Sequence, residues 1–171
     1  MDTLVSKIRD KVRTVPDFPV EGILFRDITP VLAEPGLLSS IIDRFVDDME
    51  KLGWKPDIVL GPEARGFIFG PMLADRIGCG FVPVRKPGKL PSSTRSVEYS
   101  LEYGSNALEI HEDAIQPGNS VVIVDDLLAT GGTISACSKL CQELGAKVVG
   151  SLFPTSIIEF TWKDNFSATL S

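Results

Sequence analysis

Soft metal ligands are scarce in this chain, with three cysteines and a single histidine in 171 residues. Cys79, Cys137 and Cys141 show no C-x-x-C spacing and make no disulfide framework. Cys137 and Cys141 lie four apart on an expected helix and read as small buried hydrophobes. His111 has no recognisable partner and reads as a surface residue. Basic charge is also short: 17 Lys and Arg against 23 Asp and Glu leave a formal charge of −6, which argues against a general nucleic-acid binder. No apolar run approaches membrane-spanning length, and Met1-Asp2 leads directly into an amphipathic pattern with no signal peptide. The expectation is a cytoplasmic protein with no membrane partner. A hydrophobic content of 43% and 8% aromatics are those of an ordinary globular chain, and no repeat or linker divides it.

The most informative stretch is Val121-Val122-Ile123-Val124-Asp125-Asp126-Leu127-Leu128-Ala129-Thr130-Gly131-Gly132-Thr133. Four β-branched residues in a row fit a strand buried on both faces, as in a parallel sheet. Two carboxylates follow at the strand end, then a glycine-bearing turn, then a helical pattern. Ligands of open α/β sheets bind just past the carboxyl ends of strands. A glycine-rich turn entering a helix presents backbone N–H groups and the positive dipole end, which suits a phosphate. Asp125 and Asp126 do not favour an anion, but two acceptor side chains suit the adjacent hydroxyls of a ribose. The stretch reads as a sugar-phosphate site. The alternative on local pattern alone is a strand–turn–helix with Asp caps and no ligand.

Around it, Leu4, Ile8 and Val12 give a short N-terminal helix stopped by Pro16 and Pro19, and residues 15–30 read as extended. Leu37, Leu38, Ile41, Ile42, Phe45, Val46 and Met49 form one apolar stripe of a core helix, with Pro35 near its start and Gly53 past its end. Ile58–Leu60 is a strand leading into Gly61-Pro62-Glu63-Ala64-Arg65-Gly66. Its glycines stand as in a P-loop, but Phe67 replaces the required Lys, so that nucleotide reading fails. A helix from Phe67 to Ile77 ends at Gly78, and Phe81–Val84 is another strand. The segment from Arg85 to Arg95 is a loop with four cations in an otherwise acidic protein, suited to a pyrophosphate-facing lid or to a solvated surface loop. Residues 98–104 and 107–111 flank a turn expected at Ser105-Asn106, as a hairpin. Ile134 to Leu144 is a helix ended by Gly145, and Val148-Val149 begins a further strand.

The string from Val121 to Thr133 resembles the phosphoribosyl pyrophosphate signature of the type I phosphoribosyltransferases, and its DDLLATGGT wording resembles the adenine-specific branch. FPxxGxxFRDI at residues 18–28, RKPGKLP at 85–91 and SLEYG at 100–104 are similar to that branch in the same order, so the likeness covers roughly residues 10–150. The resemblance implies an α/β fold: a twisted, mostly parallel sheet flanked by helices, with a hood at about residues 1–34, a core at about 35–153 and a tail at 154–171. It implies that Phe25 stacks on the base, with main-chain contacts from Leu24 and Arg26. The Glu63-Ala64-Arg65 loop would hold pyrophosphate, with Glu63-Ala64 the candidate for the family's non-proline cis peptide. Lys86 and Lys89 are the implied lid contacts, and Arg85 is a candidate to reach across a dimer interface. Glu102, beside Tyr103 in SLEYG, would handle a base proton. Asp125 and Asp126 hold the ribose, and Ala129, Thr130, Gly131, Gly132 and Thr133 hold the 5′-phosphate.

The activity implied by the resemblance is transfer of a phosphoribosyl group from 5-phosphoribosyl 1-pyrophosphate to adenine, giving AMP and pyrophosphate. Mg²⁺ would be the cofactor, held mainly by substrate and water, and the protein would be a homodimer. The tail departs from the pattern. Counting from Gly145-Ala146 places Ile157 where the family has a Leu against the base and Ser156 where it has a Glu, while Pro154 interrupts the strand and residues 158–166 match nothing in the family. The alternatives are a paralogue that binds the sugar diphosphate or AMP with little or no turnover, and an enzyme for another purine base, for which Lys163 is the only tail candidate.

Overall fold

The computed structural model describes residues 3–100, 105–126 and 131–154. Their elements run α1 Thr3–Lys11, β1 Arg13–Pro16, β2 Leu24–Asp27, α2 Thr29–Leu32, α3 Leu37–Leu52, β3 Ile58–Pro62, α4 Gly66–Ile77, β4 Gly80–Val84, β5 Thr94–Ser100, β6 Ser105–His111, β7 Ser120–Val124, α5 Gly132–Glu143 and β8 Lys147–Leu152. Four strands form a fully parallel sheet in the order β4-β3-β7-β8. Parallel neighbours need crossovers, and α4 and α5 supply two of them. The expected mostly parallel α/β architecture is therefore the one observed. No described helix is long and apolar enough to cross a membrane.

Both faces of the sheet are covered, which is why β7 needs an unbroken apolar run. Val122 and Val124 pack into one cluster with Ile41, Ile42, Phe45, Phe69 and Leu73 from α3 and α4. Val121 and Ile123 point the other way, into a second cluster with Ile110, Cys137, Leu140 and Cys141 from β6 and α5. All four β7 residues from Val121 to Val124 are 0% exposed. Full burial of such a side chain contributes about 1.5–3 kcal/mol. Cys137 and Cys141 are free and buried, and burial pushes both thiols up, Cys141 to about 12. They act as core hydrophobes.

Three departures from the expected pattern lie in the basic segment and the hairpin that follows it. β5 already starts at Thr94, so the end of the basic segment is strand, with Arg95 paired to Glu112 at 3.3 Å. Ser105 and Asn106, expected to turn, belong to β6 and pair with Ser100 and Tyr99. Cross-strand pairing along the whole β5–β6 ladder outweighs the local turn preference of Ser and Asn. His111, expected at the surface, is half-buried opposite Thr94, with its Nε2 shut off from solvent.

The hood is a separate two-stranded antiparallel unit, β1 with β2, pairing Val15 with Phe25 and Pro16 with Leu24. Gly22, at φ +86, donates its N–H to Asp17 Oδ1 at 2.8 Å and closes the connecting loop. Asp27 ends β2 by accepting the Thr29 N–H at 2.8 Å, which starts the short helix α2 that the proline-rich sequence concealed. The Thr29 hydroxyl, followed by the Arg13 guanidinium, holds the Asp27 carboxyl down at about 2.

Candidate active site

The site is assembled where β3 and β7 end side by side. β3 leaves through Glu63-Ala64-Arg65 into α4, and the Glu63-Ala64 peptide is cis, as the resemblance implied. Gly61 and Gly66, whose spacing mimics a P-loop, have a different task. A Cβ on Gly66 would lie 2.8 Å from the Val124 carbonyl oxygen and 2.8 Å from Pro62 Cδ. A Cβ on Gly61 would lie 2.8 Å from the Gly66 carbonyl oxygen. These glycines let the β3 loop touch the last residue of β7, with no room for a side chain between them.

That close approach brings a cation to the acidic pair. Arg65 Nε lies 2.7 Å from Asp126 Oδ2. Asp126 is 2% exposed and is the single charged side chain among the described residues that is fully buried. A carboxylate so deep needs a compensating charge, and Arg65, 43% exposed at its side chain, supplies it while still reaching solvent. The Asp125 N–H is donated to the Leu152 carbonyl at 3.2 Å, and the Asp126 N–H to Asp125 Oδ1 at 2.9 Å. Burial first, and then the neighbouring Asp126 charge, push the Asp125 carboxyl up to about 7, against the pull of the Asp126 N–H and Arg65.

Arg65 also faces the hood. Its guanidinium carbon sits 5.6 Å from the centroid of the Phe25 ring, within cation–π range. Phe25 is half-buried and meets Phe18 edge to face at 5.1 Å. Leu24 is 62% exposed, and the Arg26 guanidinium bonds the Thr14 hydroxyl across the hairpin. Of the phosphate turn, Gly131 caps α5 at φ +78, and Gly132 and Thr133 form the first turn of that helix. A phosphate-ready N-terminus thus follows the acids. Lys86 and Lys89 are exposed and make no ion pair with a described residue. Glu102, Tyr103, Ala129, Thr130 and Ile157 lie outside the described residues.

One connection has no forerunner in the sequence pattern. Arg85 Nε donates to Glu63 Oε2 at 2.9 Å, so Arg85 is engaged by its own chain's β3 loop. Among the described residues, no three His, Cys, Asp or Glu side chains converge as a metal cage. The strand-end donors are two carboxylates, one of them paired with Arg65, a set that suits Mg²⁺ brought in on substrate oxygens.

Residues 30–155 match the phosphoribosyl transferase domain. The adenine phosphoribosyltransferase of Francisella tularensis subsp. novicida is 54% identical over 146 residues, covering 85% of this chain and 83% of that protein. This chain belongs to the phosphoribosyl transferase family, in its adenine phosphoribosyltransferase branch. Solved members of the branch share its architecture. The adenine phosphoribosyltransferase of Thermoanaerobacter pseudethanolicus superposes with a TM-score of 0.84 at 54% identity, over 87% of this chain and 86% of that one. The Saccharomyces cerevisiae enzyme, solved with an imino-altritol bisphosphate and adenine, gives 0.82 at 40% identity over 93% of each chain. In phosphoribosyl transferase terms, the β7 signature and the β3 loop both fall inside the matched residues.

Proposed function

We propose that the chain transfers the phosphoribosyl group of 5-phosphoribosyl 1-pyrophosphate to adenine, forming AMP and pyrophosphate in purine salvage. The observation that carries this reading is one cation, Arg65, in contact with both the buried acid after β7 and the hood aromatic. Base, ribose and leaving group of such a substrate need those three neighbours at once. In this account Asp125 and Asp126 accept the ribose hydroxyls. Ala129, Thr130, Gly131, Gly132 and Thr133 hold the 5′-phosphate through main-chain N–H groups and the α5 dipole. Phe25 stacks on adenine with Ile157 on its other face, and the main chain of Leu24 and Arg26 reads its edge.

A purine nitrogen attacks the anomeric carbon as the C–O bond to pyrophosphate breaks, so negative charge grows on the leaving oxygens. Arg65, on the loop with Glu63 and Ala64, and the exposed Lys86 and Lys89 face that charge. Fixed charges placed where charge develops lower the barrier without reorganising. Mg²⁺, when bound on substrate oxygens, supplies further neutralisation of the pyrophosphate. Glu102, beside Tyr103, takes up the proton that the base loses. The hood, core and tail work as one domain, in a cytoplasmic homodimer.

The test is purified protein with labelled adenine, phosphoribosyl pyrophosphate and Mg²⁺, beside hypoxanthine and guanine. AMP formed from adenine alone is the expected result. Binding of the sugar diphosphate without product, or turnover of a 6-oxopurine instead, contradicts it.

A further inference from the structure

We infer that Arg85 is a positioning residue that ties the two cation-bearing loops of the site together within one chain. This role rests on the reading of both loops as pyrophosphate-facing. Glu63 begins the β3 loop, and its N–H is donated to the Val84 carbonyl at 2.8 Å. Arg85 is the next residue along β4's exit, so the two side chains start from adjacent strands. The Arg85 Nε then donates to Glu63 Oε2 at 2.9 Å. The same guanidinium turns its Nη1 to the carbonyl oxygen of Lys89 at 3.3 Å. One planar fork thereby holds the carboxylate two residues before Arg65 and the backbone of Lys89. Lysine does not span two acceptors in this way.

The turn carrying Lys86 and Lys89 is pinned on its other side too. Arg85 exchanges both main-chain hydrogen bonds with Glu109 of β6, at 2.9 and 2.7 Å, and Glu109 Oε2 accepts the Gly88 N–H at 3.1 Å. The Arg85 guanidinium carbon lies 5.9 Å from the Phe67 ring centroid, which fixes its plane on the first turn of α4. Glu63 and Arg85 are 16% and 34% exposed at their side chains, so the pair is partly withdrawn from water. Two of the five Arg85 N–H donors are thus committed to protein acceptors on the two loops. The contribution of Arg85 is to hold the loop of Arg65 and the turn of Lys86 and Lys89 in fixed relation before the substrate arrives. Preorganisation of this kind strengthens binding by removing an ordering cost.

The experiment uses the full chain, with Glu63→Gln, Arg85→Gln and the double variant. Calorimetry with phosphoribosyl pyrophosphate and Mg²⁺ is expected to show about tenfold weaker binding for each single variant, and for the double variant no more than either, because the two side chains act as one unit. AMP, which lacks the pyrophosphate, should bind all three as it binds the parent. A double variant near a hundredfold weaker, or a weakened Arg85→Gln beside an unchanged Glu63→Gln, overturns the tether and makes Arg85 a direct phosphate ligand. Amide hydrogen exchange on the ligand-free protein gives an independent reading. Either substitution should speed exchange in both the 63–66 and 86–89 loops, and acceleration confined to the substituted loop also overturns it. Absence of sugar-diphosphate binding by the parent protein would count against the proposed function, and the exchange result would still decide the tether.

Discussion

The β1–β2 hairpin leaves Leu24 62% and Phe18 50% exposed, while β7 buries four consecutive residues completely. Both regions meet Arg65, yet they are held by different physics. The acids after β7 are positioned by a strand packed on both faces and by two glycines that admit the β3 loop. The hood is a two-stranded unit fastened at its surface by the Arg13–Asp27 pair and by Arg26 on Thr14. Isolated two-stranded units are marginal in water. The strand-end acids are thus placed by the core, whereas Phe25 is presented by an element with little stability of its own. Arg65 touches both.

Breaking the strand-end half should cost most. Asp126→Ala and Arg65→Ala are each expected to lower kcat/KM by about a hundredfold with the fold retained, as for loss of a charge aimed at the reacting group. Steady-state kinetics with circular dichroism as a folding control checks this, and two unaltered variants would remove the acid–cation pair from the site. Gly66→Ala attacks the same half through the backbone. Its new methyl meets the Val124 oxygen and the Pro62 ring, both at 2.8 Å, so about 1–3 kcal/mol of stability should be lost. Denaturant midpoints measure it; an unchanged midpoint would mean that the two loops separate freely.

Phe25→Ala probes the hood, where stacking on a base is worth about 1–3 kcal/mol. The KM for adenine is expected to rise by about tenfold or more while that for phosphoribosyl pyrophosphate stays within a factor of two or so. Equal effects on both substrates would erase the distinction between the halves. The remaining test is a pH dependence. Asp125 sits at about 7 in the fold against 3.8 for the free side chain, so the folded state holds its proton more tightly. This group's contribution to native stability accordingly falls as pH rises from about 4 through 7. Thermal midpoints between pH 5 and 8 should therefore decline more for the parent than for Asp125→Asn, and parallel curves would refute the assigned cause.

Much of the core half was legible in the chain because its signals are local. Val121–Val124 followed by Asp125-Asp126 announces a two-sided strand and its loaded end, and Gly53, Gly78 and Gly145 mark helix ends where left-handed backbone is needed. The contacts that complete the site join distant residues and leave no periodic trace. Nothing in the pattern near Glu63 points to Arg85, and nothing near Arg65 points to Asp126, because loop-to-loop pairing is set only once β3, β4 and β7 lie side by side. The Ser105-Asn106 turn was misplaced for the same reason. Local turn chemistry was visible, but the ladder that overrules it was not.

A crystal structure of the protein with AMP tests the central claim most directly. The account predicts the ribose hydroxyls within hydrogen-bond distance of Asp125 and Asp126, the phosphate on the amides of Gly131 to Thr133, and the adenine ring on Phe25 with Arg65 displaced from that face. A nucleotide bound away from the ends of β3 and β7, or Asp126 still closed on Arg65 with the ribose elsewhere, would contradict it.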